Sequence, residues 1–272
     1  MFTIVIPALN EESFLPNLLD SLAAQTSNGF RVIVVDGSSR DRTVEVAKSY
    51  ADRLPGLQVI VSRKASLPLQ RNIGARAAKT NWLIFSDADN VLLPYAVERM
   101  EAFVKLRQPQ FFTTWIQPDS EVQSEVVLSV MGNLLVEGSI LLKRSFSPGP
   151  LTAITHDLFN SVGGYNERAS WGEDMEFANR VTQTGAKLEV LRETIYVWSM
   201  RRFRKQGAAK VLQQIAKASV YALLTKRALT KMDNYEMGGQ LYRDGQLKKR
   251  RTPSLIGQLD SKIRKLTSQI LR

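Results

Sequence analysis

Asp87 and Asp89 stand one residue apart, directly after the apolar run 82–85 (WLIF). At the end of a strand such a pair leaves the sheet's alternation and enters a loop, where both carboxylates can face one divalent ion. Oxygen ligands of this kind suit Mg2+ or Mn2+, and an ion so held would neutralise a diphosphate leaving group. Asp36 closes another apolar run, 30–35 (FRVIVV). Before Gly37 it could simply open a turn; we read it as a crevice carboxylate for a ribose or base. Glu173 and Asp174 begin a helical pattern, where the helix dipole favours acidic residues in any case. The same position suits a general base beside an attacking hydroxyl, with Asp174 first and Glu173 second.

The chain has no cysteine and a single histidine, His156. Thiolate chemistry and a histidine-rich metal site are excluded, which leaves carboxylates, hydroxyls and basic groups. We read His156 as a packed or cap-region residue rather than a ligand, and Trp115 and Trp171 as core residues or stacking platforms for a sugar ring.

The elements that must position these residues follow from periodicity. Runs at 3–7, 30–35, 57–62 and 82–85 read as strands, and 14–22, 41–51 and 69–78 as helices. Such alternation predicts a parallel sheet with helices on both faces and a ligand beyond the carboxyl ends of its strands. The polar clusters 7–11, 36–41 and 86–90 should therefore converge on one edge. Later segments predict helices at 96–106 and 173–184, strands at 111–115 and within 187–197, and a long helix at 208–229. The apolar stretch 126–142 contains Asn133, Glu137 and two glycines, so it is expected to be a buried or interfacial helix rather than a span.

Charge divides the chain. Residues 1–200 hold 19 basic and 22 acidic side chains, and residues 201–272 hold 18 and 4. The last quarter therefore carries +14, with a polar stretch at 233–253 and a basic amphipathic pattern at 256–270. This segment either docks on an anionic membrane surface or packs its apolar stripe on the core. Nucleic acid is the weaker reading, since it gives no reason for acidic clusters at strand ends. The N-terminus lacks a signal-peptide pattern, so the expected location is cytoplasmic, or peripheral on the inner face of the cell membrane.

Together the stretches 4–12 (IVIPALNEE), 34–43 (VVDGSSRDRT), 70–75 (QRNIGA), 86–89 (SDAD), 163–167 (GGYNE) and 172–177 (GEDMEF) resemble family 2 glycosyltransferases of the GT-A fold, in the right order over residues 1–200. The resemblance implies a Rossmann-like α/β fold: a mixed, mostly parallel sheet flanked by helices, with a basic helical C-terminal extension. It implies a catalytic domain at 1–200, with a nucleotide-binding half at 1–95 and an acceptor half at 96–200, followed by the basic region 201–272. Pro7, Ala8, Glu11 and Asp36 would hold the nucleotide, Arg71 would approach the base or diphosphate, and Asp87 would serve both donor and metal. Asp87 and Asp89 would ligate Mn2+ or Mg2+, and Asp174 would be the inverting base. The implied donor is a nucleotide-sugar, a UDP-sugar ahead of a GDP-sugar. The implied acceptor is a lipid-linked or cell-envelope glycan, with a polyprenyl phosphate as the alternative. Where many relatives have Asp-Asp-Gly-Ser, Asp36 stands alone before Gly37, and the 201–205 stretch (RRFRK) loosely resembles a late basic element that engages phosphate.

Overall fold

The computed structural model describes residues 1–141, 147, 149–169, 172–207, 211 and 213. Trp171, the 233–253 stretch, the 256–270 pattern and nearly all of the 208–229 helix lie outside the described residues.

In chain order the elements are β1 (Phe2–Ala8), α1 (Leu15–Ala23), β2 (Phe30–Asp36), α2 (Thr43–Lys48), β3 (Gln58–Val61), α3 (Leu67–Ala77), β4 (Trp82–Ser86), β5 (Val91–Leu92), α4 (Ala96–Arg107), β6 (Phe111–Pro118), α5 (Gln123–Leu141), β7 (Leu151–Thr155), α6 (His156–Ser161), α7 (Glu173–Gln183), β8 (Leu188–Trp198) and α8 (Arg201–Gln206). They form one eight-stranded sheet in the order β3-β2-β1-β4-β7-β6-β8-β5. The first four strands pair in parallel. β7 enters antiparallel between β4 and β6, so the sheet is mixed, as the resemblance implies.

Alternation in β1 explains the layering. Phe2, Ile4, Ile6 and Ala8 pack with α1, α2 and α4 on one face, while Val5 joins α3, α6 and α7 on the other. With period-2 geometry each strand feeds both cores. Pro16 and Pro68 sit in the first turns of α1 and α3, where a missing N–H costs nothing and the fixed φ favours the helix.

The register sets the site. Ala8 pairs with Asp36 and Val5 with Phe85, so β1, β2 and β4 end on the same edge. Beyond β4 the architecture is less regular. β5 has two residues, and β6 and β8 are parallel with register shifts near Trp115. No strand is predicted from sequence at 151–155, yet β7 forms there; the apolar helix start expected just after 155–157 is α6, which opens at His156 itself. The 126–142 stretch is helical, as expected, from Gln123 to Leu141. Among the described residues no helix is long and apolar enough to cross a membrane.

Candidate active site

The loops after β1 and β2 are stitched together. The Asn10 N–H donates to Ser39 Oγ at 2.7 Å, and the Arg40 N–H to Asn10 Oδ1 at 2.7 Å. The Glu11 N–H donates to Thr43 Oγ1 at 2.8 Å, and the Arg42 N–H to Glu12 Oε2 at 2.7 Å. Asn10 takes a left-handed φ of 52°, a conformation asparagine tolerates better than most residues. Pro7 and Ala8 lie at the end of β1, Pro7 buried and Ala8 within the core. The Gln70 side-chain amide donates to the carbonyls of Ala8 and Val35 at 2.9 and 2.7 Å, clamping the two strand ends.

Asp36 is buried at that clamp. Its Oδ2 accepts from the Ser39 N–H at 2.9 Å, but its Oδ1 has no partner among the described residues. A buried carboxylate oxygen without a donor is costly in a finished structure, and it fits a position completed by a ligand hydroxyl or N–H.

Arg71 ties the centre together. Its Nη1 donates to Glu173 Oε1 at 3.1 Å, and its Nη2 to Asp87 Oδ1 at 3.3 Å and to the Gly149 carbonyl at 3.1 Å. The guanidinium lies 5.1 Å from the centroid of the Tyr165 ring. Arg71 is almost fully buried. Burial works against its charge, but Tyr165, Glu173, Asp87 and Asp174 outweigh that cost and raise its pKa further. The adjacent Asn72 hydrogen-bonds both the N–H and the carbonyl of Tyr165 at 2.8 Å. The 70–75 and 163–167 motifs are thus in direct contact.

A second cluster lies on the other side of the β4 loop. Arg201 holds Glu11 through two hydrogen bonds, Nη1 to Oε2 at 2.8 Å and Nη2 to Oε1 at 2.7 Å. Its Nε lies 2.9 Å from Asp89 Oδ2, and its guanidinium carbon lies 4.3 Å from the Phe14 ring centroid. Burial pushes the Asp89 carboxyl up to about 7, Arg201 draws it down, and Asp87 and Glu11 push it up again. Burial likewise raises Glu11 despite Arg201, with Asp87 adding to the rise.

Asp174 lies in the first turn of α7, half-buried, with Oδ1 accepting from the Met175 N–H at 2.9 Å. Burial, and then Glu173 as a like charge, push its carboxyl up to about 7. A carboxylate held there can accept a proton near neutral pH, as a general base must. The α7 N-cap, Gly172, has φ 74°, a left-handed geometry open to glycine without steric cost.

Asp87, Asp89, Glu11, Arg71, Glu173 and Asp174 are therefore brought together, and Asp36 lies beside them at the clamped end of β2. Among the described residues no three His, Asp or Glu side chains form a metal cage. Two carboxylates on one loop nevertheless fit Mg2+ or Mn2+, which commonly take one or two protein carboxylates and complete their shell with phosphate and water. The rise at Asp89 and Glu11 comes first from burial, with the neighbouring Asp87 carboxylate adding to it. His156 opens α6 and places Nδ1 3.1 Å from the Thr80 carbonyl, away from this centre as expected. Sequence reasoning misses Gly149 and Pro150. Their carbonyls receive bonds from Arg71, the Asp87 N–H and the Asn90 amide, and only their turn-forming residue types could have signalled a role.

Comparison with known proteins agrees with this geometry. The model of the family described as Glycosyl transferase family 2 matches residues 3–137. A "PGL/p-HBAD biosynthesis glycosyltransferase" of Mycobacterium tuberculosis is 37% identical over 184 residues, covering 65% of this chain and 68% of that protein. An "Uncharacterized glycosyltransferase" of Haemophilus influenzae is 29% identical over 187 residues, covering 67% of this chain. The chain spans 62% of the length of that relative. Among solved structures, S. aureus TarS 1–349 in complex with UDP is similar with a TM-score of 0.61 and 20% identity, over 75% of this chain and 62% of that one. The mannosyltransferase PcManGT from Pyrobaculum calidifontis, in complex with GDP-Man and Mn2+, gives 0.64 and 17%, over 84% and 65%. At these identities the two structures establish the shared fold.

Proposed function

The chain belongs to glycosyl transferase family 2, and from that premise we propose that it transfers a sugar from a nucleotide-sugar, a UDP-sugar ahead of a GDP-sugar, to an acceptor hydroxyl with inversion at the anomeric carbon. One observation carries this reading. The loop bearing Asp87 and Asp89 is joined through Arg71 to Glu173, beside Asp174, and through Arg201 to Glu11 in the β1 loop. The loops we assign to the donor and the helix we assign the base are thus linked by ion pairs, which supports the reading.

In the proposed reaction Asp36 receives the ribose or base at its unpartnered oxygen, with Pro7, Ala8 and Glu11 shaping the wall beside it. Asp174 takes the proton of the acceptor hydroxyl as that oxygen bonds to the anomeric carbon and the bond to the diphosphate breaks. Arg71 fixes Asp87 and Glu173 relative to one another and so orients the base against the donor. A divalent ion held by Asp87 and Asp89 would supply charge neutralisation for the departing diphosphate.

The acceptor we propose is a lipid-linked or cell-envelope glycan. Supporting it are the relative named for PGL/p-HBAD biosynthesis and the +14 charge of residues 201–272, which suits contact with anionic lipid. A panel of nucleotide-sugars with Mn2+ or Mg2+, read by thermal shift and by release of nucleoside diphosphate, tests the donor half. Stabilisation and turnover with one donor is the expected result. No response to any donor would overturn the assignment.

A further inference from the structure

Two buried side chains beneath the loop between β4 and β5 end in polar atoms that the proposed reaction does not use. Tyr196 of β8 and Asn90, one residue before β5, are both 0% exposed. Among the described residues Tyr196 Oη and Asn90 Oδ1 have no hydrogen-bond partner, although the Asn90 amide donates to Ser86 Oγ at 3.1 Å and to the Pro150 carbonyl at 2.6 Å. Leaving such atoms unpaired away from water is costly. The register brings them together. Leu92 pairs with Tyr196, and alternation back through half-buried Val91 puts buried Asn90 on the face that Tyr196 occupies. Residues so placed are diagonal neighbours, about 7–8 Å apart, a span that two side chains and one water can bridge.

The third group is Asp87. Its carbonyl accepts from the Asn90 N–H at 3.3 Å, and its own N–H shares the Pro150 carbonyl with the Asn90 amide, so the two residues turn around one point. Burial raises the pKa of the Tyr196 phenol, and the Asp87 carboxylate raises it further. The hydroxyl is therefore a protonated donor within electrostatic reach of that carboxylate. Asp87 is itself held by Arg71 at 3.3 Å, with its side chain 30% exposed. Strong charged hydrogen bonds are nearer about 2.7–2.9 Å, so Arg71 alone leaves the rotation of this carboxylate loosely set.

A water between these groups satisfies all of them. It accepts from Tyr196 Oη, and its two hydrogens go to Asn90 Oδ1 and to an Asp87 carboxylate oxygen, about three bonds, as buried waters typically make. We propose that one buried water so bonded orients the Asp87 carboxylate, which makes Tyr196 and Asn90 positioning residues of the site. Held by Arg71 on one side and through β8 on the other, Asp87 presents its remaining lone pairs in a fixed direction, as outer hydrogen bonds do for a metal ligand. That purpose rests on the metal role proposed above, whereas the water link itself is measured without metal or donor.

A high-resolution crystal structure of the metal-free full chain reads the link directly. An ordered water within hydrogen-bond distance of Tyr196 Oη, Asn90 Oδ1 and an Asp87 carboxylate oxygen is the expected result. A dry gap, or Tyr196 Oη bonded to a protein group instead, would overturn the proposal. Tyr196→Phe keeps the ring in the core and removes only the hydroxyl. Its metal-free melting temperature should stay close to wild type, while Mn2+ binding in the presence of UDP, titrated by electron paramagnetic resonance, should weaken about tenfold. A role in packing alone would not separate the two readouts. Unchanged Mn2+ affinity would overturn the positioning role, and so would a large fall in melting temperature that carries the Mn2+ affinity down with it. No Mn2+ binding by wild type, with the water in place, would remove the metal role of Asp87 and leave the water link standing.

Discussion

The Arg201 guanidinium and the Asp89 carboxylate meet at 2.9 Å, so a cation from α8 already lies against one side of the carboxylate proposed for the metal. The same guanidinium grips Glu11 with both Nη atoms. Arg201 therefore balances the acids of the β1 and β4 loops and would compete with a divalent ion for their charge.

Replacing it separates these effects. Arg201→Gln leaves Glu11 and Asp89 buried without their counter-ion, which should cost about 3–5 kcal/mol in urea denaturation without metal. In nucleotide-free protein the same variant should bind Mn2+ several-fold more tightly, since the competing charge is gone. An electron-paramagnetic-resonance titration measures this directly. Unchanged or weaker Mn2+ binding would show that Arg201 does not oppose the ion.

Asp174 should set the pH dependence of turnover. A base whose carboxyl lies near 7 should give a kcat/KM that climbs with pH and levels off above that value. Glu173 is the like charge that helps to hold it up, so Glu173→Gln should move the rising limb to lower pH by roughly half to one unit. A limb that stays in place, or moves upward, would assign the titration to another group.

The same shift makes a statement about stability. Between the ordinary 3.8 and about 7 the folded chain binds a proton at Asp174 that the unfolded chain does not. Its contribution therefore weakens stability as pH rises through that window, and the full penalty stands above it. Asp174→Asn keeps an acceptor for the Met175 N–H and removes the titration. It should be inactive, yet up to about 4 kcal/mol more stable than wild type at pH 8, with the gap closing towards pH 4. Denaturant melts across that range measure it.

Asp36 offers a contrast, because its deletion removes a carboxylate that is only half satisfied. Asp36→Ala loses the Ser39 N–H contact but also removes the buried, unpartnered Oδ1. Stability should change by no more than about 1 kcal/mol, while donor KM should rise at least about tenfold if that oxygen receives the ribose or base. Saturation curves for donor alone decide it; an unchanged KM would remove Asp36 from the donor site.

Why some of this is legible in sequence and some is not is a matter of range. β1, β2 and β4 announce themselves because buried apolar runs end in polar loops, and the register of three parallel strands then fixes where Asp36, Asp87 and Asp89 emerge. Asp174 follows from the start of α7. β5 is too short for any periodicity, β6 and β8 shift register near Trp115, and β7 follows a Pro-Gly-Pro sequence that hides its onset. The pairing of Arg201 with Asp89 and Glu11 has no local signature, since it exists only once α8 folds back against the β1 and β4 loops. The outward face of α5 is likewise decided by what packs on it, which hydropathy cannot report.

Gly149 tests how closely Asp174, the proposed base, is placed. A β-carbon built there would lie 2.8 Å from Asp174 Oδ2 and 3.5 Å from Arg71 Nη2. The first distance is below ordinary contact, and the nearest atom belongs to the rotatable end of a side chain, so the fold can yield by turning Asp174 away. Stability should then fall by no more than about 1 kcal/mol, while kcat should drop about a hundredfold, because small misplacements of a reacting group are severe. Gly149→Ala should also leave donor binding by thermal shift near wild type, since Asp36 and the β1 loop are untouched. A variant with full kcat would place the base elsewhere, whereas parallel loss of donor binding would mean that the 149–150 turn shapes the donor site itself.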